Sequence, residues 1–184
     1  TCSIIFNSVS PITYPTQLNA TGSCTFNETQ VNMYRNNILV NSENGRYTTL
    51  GVNSYSYIAN ITSTQNYTSA TMTPSTMLVQ QSSNTVTLTL NGGPGNITIQ
   101  PSENILAIGS STSGNFNMTR NGVDVTSQSG ISIPLPDGIY VYKVNSTGNQ
   151  NYTINSTGIS FTLNVSTIVI PDTQSPQYSN IINP

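Results

Sequence analysis

Hydrophobic and polar positions alternate with a period of two along most of this 184-residue chain. That period belongs to strands with one face in a core and the other in water. The strongest example covers 135–165. Ile139, Val141 and Lys143 fall on one side, and Tyr140, Tyr142 and Val144 on the other. After a polar loop, Ile159, Phe161, Leu163 and Val165 alternate again. Upstream, Ile4, Phe6, Ile12 and Tyr14 share a face of an extended segment that Pro11 and Pro15 mark as an edge or as two short pieces. Tyr55 and Tyr57 share a face of another strand, and Leu78 opens a buried one. Val86, Leu88 and Leu90 before Asn91-Gly-Gly-Pro-Gly95, with Ile97 and Ile99 after it, predict a hairpin over 85–100.

Turn signals punctuate this pattern at Asn44-Gly45, Asn121-Gly122 and Pro136-Asp137-Gly138. Segment 30–40 has some helical look, but Asn32, Asn36 and Asn37 are poor helix formers and no cap precedes it. No internal repeat stands out. The expectation is an all-β, antiparallel, immunoglobulin-like sandwich of about ten strands forming one domain over 1–170. A proline-stiffened tail follows over 171–184, with Tyr178, Ile181 and Ile182 as its main apolar side chains.

Composition sharpens this picture in two ways. Only 5% of residues are charged, against about 25% in ordinary globular proteins. No basic patch exists to recognise nucleic acid or an anionic membrane. No 18-residue apolar run implies membrane insertion. Histidine is absent, which removes Ser-His-Asp and Cys-His catalysis along with the commonest metal ligand. Six scattered carboxylates give no acid–base pair and no calcium loop, and 91–95 lacks the Lys-Ser/Thr of a phosphate loop. The reading is a non-enzyme with no catalytic, metal or cofactor-binding residues. Few carboxylates also leave little to lose in acid, so the composition suits an acidic exterior.

A surface with so little charge needs another source of solubility. Ten Asn-X-Ser/Thr triplets start at Asn19, Asn27, Asn60, Asn66, Asn96, Asn117, Asn145, Asn151, Asn155 and Asn164. Their number slightly exceeds chance for this composition. Nine of the ten end in Thr, and that bias points to use as N-glycan acceptors. The only covalent groups expected are therefore N-linked glycans. Cys2 and Cys24 are the only cysteines and read as one disulfide of an exported chain. The absence of an apolar leader ahead of Thr1 is what a mature, processed chain would show.

Tyr140, opening a strand just after Pro136-Asp137-Gly138, resembles the tyrosine corner of immunoglobulin-like domains. The run from Leu135 to Val144, then Gly148-Asn149, 161–165 and Pro171-Asp-Thr173 resembles the last strands of prokaryotic immunoglobulin-like surface modules. Together with low charge, dense sequons, one N-terminal disulfide and a loose tail, the chain is similar to subunits of archaeal thread filaments. That resemblance implies a type I pilin-like fold, heavy N-glycosylation and head-to-tail linkage by donor-strand complementation. Each subunit would give a strand to its neighbour's incomplete sandwich.

The candidate donor is the tail, through Tyr178, Ile181 and Ile182. The alternative is the N-terminal face of Ile4, Phe6, Ile12 and Tyr14, which a Cys2–Cys24 bridge would tie to its own subunit. The expected role is a homopolymeric, extracellular cell-surface filament for adhesion or biofilm contacts, with cell-surface or glycan targets. The competing role is a monomeric secreted carbohydrate-binding or S-layer-associated β-sandwich module.

Overall fold

The computed structural model describes residues 1–26 and 28–167. Asn27 and the tail candidates Tyr178, Ile181 and Ile182 lie outside the described residues. Strands dominate the rest. The first nine are β1 (Cys2–Phe6), β2 (Ile12–Thr13), β3 (Gln17–Cys24), β4 (Asn32–Arg35), β5 (Ile38–Leu39), β6 (Tyr47–Thr49), β7 (Asn53–Ile61), β8 (Ala70–Thr71) and β9 (Ser75–Gln80). They form a β1-β3-β6 sheet facing a β2-β9-β7-β4-β5 sheet, with β8 added to β7.

The next eight are β10 (Val86–Leu90), β11 (Ile97–Ile99), β12 (Asn104–Ser111), β13 (Asn117–Arg120), β14 (Val123–Asp124), β15 (Ser132–Pro134), β16 (Gly138–Ser146) and β17 (Asn155–Val165). These repeat the plan as β10-β12-β15 against β11-β17-β16-β13-β14. Both halves are immunoglobulin-like sandwiches. Pairing is antiparallel, as the pattern predicts, apart from one short parallel pairing in each half, β2 with β9 and β11 with β17.

The chain therefore holds two sandwiches where the pattern predicts one over 1–170. Each buries its own core. Leu18, Met33, Tyr57, Met77 and Val79 centre the first, and Leu88, Ile105, Met118, Tyr142 and Leu163 the second. The two are an internal repeat displaced by about 85 positions. Asn32-Met33, Arg35-Asn36, Tyr55, Tyr57 and Asn60 recur as Asn117-Met118, Arg120-Asn121, Tyr140, Tyr142 and Asn145.

The backbone wiring recurs with them. Asn36 and Asn121 both hold positive φ, at 49° and 50°. Each accepts an amide bond across the turn, from Ser56 at 2.9 Å and Val141 at 2.7 Å. Single 3₁₀ turns follow at Asn41–Glu43 and Thr126–Gln128. The Met33 amide is then capped by Asn41 Oδ1, and the Met118 amide by Thr126 Oγ1. Asparagine is frequent here because its short amide closes turns in the left-handed region.

Two local expectations fail for a shared reason. The 85–100 hairpin does not form: β10 pairs with β12, and β11 pairs in parallel with β17 in the opposite sheet. Asn91-Gly-Gly-Pro-Gly95 carries the edge strand from one sheet to the other, with φ of 48°, 83° and 133° at Asn91, Gly92 and Gly95. Leu78 is partly exposed between the buried Met77 and Val79, so the inward phase of β9 is the other one. Periodicity reports that a strand exists and which positions share a face; its partner, and which face turns inward, are set by the rest of the sheet.

Candidate functional site

The disulfide Cys2–Cys24 forms, with an S–S distance of 2.00 Å. It closes the first register pair of β1 and β3. In the second sandwich the matching pair is Val86 and Ser111, so only the first repeat is cross-linked. The alternative donor face is built into the same half. Ile4 and Phe6 pack against the first core along with Tyr14, and Ile12 is part of it. β1 pairs with β3 from Cys2 to Phe6, leaving those side chains filling their own sandwich.

The Tyr140 hydroxyl donates to the Pro136 carbonyl at 2.9 Å, the corner geometry expected from sequence. A second corner joins Tyr55 to the Gly51 carbonyl at 2.9 Å, and its signal in the sequence is the 85-residue offset from Tyr140. Each bond ties the start of a long central strand to the turn before it. Tyr55→Phe and Tyr140→Phe should each cost about 1 kcal/mol, the usual net value of one hydrogen bond. Urea unfolding of the two single variants checks this, with each lowering the stability of its own sandwich.

Beneath each corner an arginine hydrogen-bonds to a core tyrosine, Arg35 to Tyr57 and Arg120 to Tyr142. Arg35 forms an ion pair with Glu43 and sits 5.8 Å from the Tyr55 ring centre. Burial works against its charge, but hydrogen bonds to Tyr57 and Glu43 outweigh that and raise its pKa. Burial pushes the Tyr57 phenol upward and keeps it neutral. In the second sandwich, Arg120 donates to Gln128 Oε1 at 3.1 Å and to the Tyr142 hydroxyl at 3.4 Å. These contacts hold structure.

The exposed Asp124 carboxylate accepts the Thr126 amide at 2.8 Å, and Thr126 holds its pKa below the usual range. A depressed carboxylate stabilises above its unfolded pKa and loses that contribution as pH falls through its folded value. This effect is confined to the acid limb.

The described asparagines of the Asn-X-Ser/Thr triplets fall into groups. Asn155 is half-buried, with Nδ2 donating to the Asn84 carbonyl at 2.8 Å and Oδ1 accepting the Gly158 amide at 3.0 Å. Asn19 donates to the Gly45 carbonyl at 3.0 Å from the central strand β3. Asn164 donates to Ser166 at 3.3 Å, and Asn66 to Glu28 at 3.2 Å. At Asn96 and Asn117 only the carbonyl oxygen is engaged, by the Thr162 amide and the Thr126 hydroxyl. Asn60 and Asn145 occupy equivalent outward positions near the ends of β7 and β16.

Asn151 belongs to the junction between the sandwiches. Its Oδ1 accepts the Val52 amide at 3.0 Å, while the Gln150 side chain donates to the Val52 carbonyl. Gln81 donates to the carbonyls of Asn149, Gln150 and Tyr152, and Tyr14 meets Tyr152 edge to face at 5.5 Å. The loop between β16 and β17 thus docks on the base of the first sandwich through backbone-directed bonds that fix its position.

The outer face of the first sandwich also carries two adjoining clefts. One, of about 280 Å³, is lined by Tyr34, Asn37, Ile58, Asn60 and Thr71. The other, of about 250 Å³, is lined by Asn60, Ile61, Thr62, Ser69, Ala70 and Thr71. No cluster of three or more His, Cys, Asp or Glu positioned to hold a metal occurs among the described residues. Nor is any described helix long and apolar enough to cross a membrane.

No family model and no curated protein matches the chain. Among solved structures it is similar to the fibronectin(III)-like modules of CbhA from Clostridium thermocellum. That likeness covers 89% of this chain and 94% of that one, at 15% identity and a TM-score of 0.34.

Proposed function

We propose that the chain is a non-catalytic structural subunit of an extracellular, N-glycosylated surface filament serving adhesion or cell contacts. The observation that carries this reading is the pair of tandem sandwiches locked together by the Asn149–Tyr152 loop on Val52 and Gln81. A repeat unit of fixed internal geometry transmits force and orientation along a polymer. The small surface charge, the disulfide and the sequons supply stability outside the cell.

Both sandwiches already contain the strand, β9 or β17, that lies beside the central β7 or β16. Linkage in this reading is therefore strand addition by 171–184 at an open sheet edge of the next subunit. A contact that does not close on itself gives an open fibre. Negative-stain microscopy of the purified chain should show thin fibres, and deletion of 171–184 should leave folded monomers. Fibres from the truncated chain would overturn the tail as the link, and monomers from the full chain at high concentration would overturn the filament.

A further inference from the structure

We infer that Asn60 carries an N-glycan whose first sugars pack into the adjoining clefts against Tyr34, so that the glycan acts as an outer layer of the first sandwich. The inference rests on the N-glycosylated reading above and adds a specific place and mechanical role to it. Three observations support it.

The first is the acceptor itself. Ala59 and Ile61 point inward and are buried, so alternation sends Asn60 outward. Unlike Asn19 and Asn155, its side-chain amide makes no hydrogen bond among the described residues. Nδ2 is therefore open to displace phosphate from C1 of a polyisoprenyl-phosphate-linked oligosaccharide under an oligosaccharyltransferase. The N–C1 bond forms and the C1–O bond to phosphate breaks. One Nδ2 proton passes to the transferase base.

The second is the bed. The clefts of about 280 and 250 Å³ share Asn60 and Thr71, placing the acceptor at their meeting point. Their side chains are neutral throughout: one aromatic ring, amides, hydroxyls and aliphatic carbon. A tyrosine ring offers a flat apolar face with a polar edge, and a few polar groups around an apolar floor are the usual make-up of a small-ligand pocket.

The third is the repeat. Asn145-Ser146-Thr147 stands where Asn60-Ile61-Thr62 does, but Tyr34 is replaced by Thr119 and Ile58 by Lys143. β8 belongs to the long connection from β7 to β9, whereas the corresponding loop of the second sandwich turns back to the junction. The same sequon therefore has its aromatic floor in the first half only, and Asn145 is a built-in control.

The test uses the full chain made in a host that installs N-glycans and in one that does not, with Thr62→Ala, Thr147→Ala and Tyr34→Ala. Intact mass should fall by one glycan in Thr62→Ala and in Thr147→Ala. In glycosylated protein, Thr62→Ala and Tyr34→Ala should each lower the first melting transition by about 4 °C, a shift expected for a modest loss in a domain of this size. Thr147→Ala should leave it in place. In unglycosylated protein, Thr62→Ala should have no effect.

An unmodified Asn60, or equal shifts from Tyr34→Ala in both hosts, would overturn the inference. So would N-acetylglucosamine or mannose titrating the Tyr34 resonances of unglycosylated protein while native Asn60 stays bare, since the cleft would then serve a foreign sugar. Microscopy of the same samples reads filament assembly separately, so the two readings fail independently.

Discussion

Replacing Gly158 with alanine should destabilise the second sandwich by about 3 kcal/mol, combining left-handed strain with displacement of a packed backbone. Gly158 holds φ at +66°, and a Cβ there would sit 2.1 Å from the Val144 carbonyl oxygen and 3.0 Å from its carbon. Neither is the end of a flexible side chain that could swing away. The site lies where β16 and β17 shift register between Val144 and Ser146. There Asn155 Oδ1 accepts the Gly158 amide and fixes the turn into β17. Any relief must move the longest strand pair among the described residues.

Gly92→Ala is the control. Its φ is +83° with nothing within 4 Å of the added carbon, so only the conformational cost of about 1 kcal/mol remains. Urea unfolding with probes in each half should show Gly158→Ala shifting the second transition far more than Gly92→Ala does. Equal shifts would show that the backbone of β16 yields freely, contrary to its packing.

The second large effect is expected from Cys2→Ser with Cys24→Ser. The bridge spans 22 positions. Losing such a loop constraint costs about 3 kcal/mol, chiefly by freeing the unfolded chain. The loss should fall on the first sandwich, because the second already folds with Val86 opposite Ser111. Differential scanning calorimetry should show one transition moving down and the other holding, and reducing agent on the parent protein should reproduce the shift. A parent protein indifferent to reduction would mean that β1 is held by pairing and by Ile4 and Phe6 alone.

Each signal in the chain specifies only what lies within its own range. The strands β16 and β17, the Tyr140 corner, the Asn121-Gly122 turn and the Cys2–Cys24 pair were legible, because alternation, turn chemistry and cysteine count are local or unique. The repeat was also present in the sequence, in Asn32-Met33 against Asn117-Met118 and in the paired tyrosines. It is masked because outward positions differ between the halves, as Tyr34 against Thr119 and Ile58 against Lys143, and only one half has cysteines. The status of Asn155 was not legible at all. Its triplet is identical in type to that of Asn60, and only the fold aims its Nδ2 at the Asn84 carbonyl.

By itself, then, the sequence determined an all-β, disulfide-bonded chain, poor in charge and without histidine, with most faces of its strands assigned. Periodicity, composition and turn residues carry that information without reference to distant partners. The tertiary structure alone decided which strands pair around each of the two cores, that 91–95 crosses between sheets instead of closing a hairpin, and which asparagines engage their amides inside the fold. Those outcomes depend on which strand lies beside which across tens of residues, and on contacts at the junction and clefts that exist only once both sandwiches have packed.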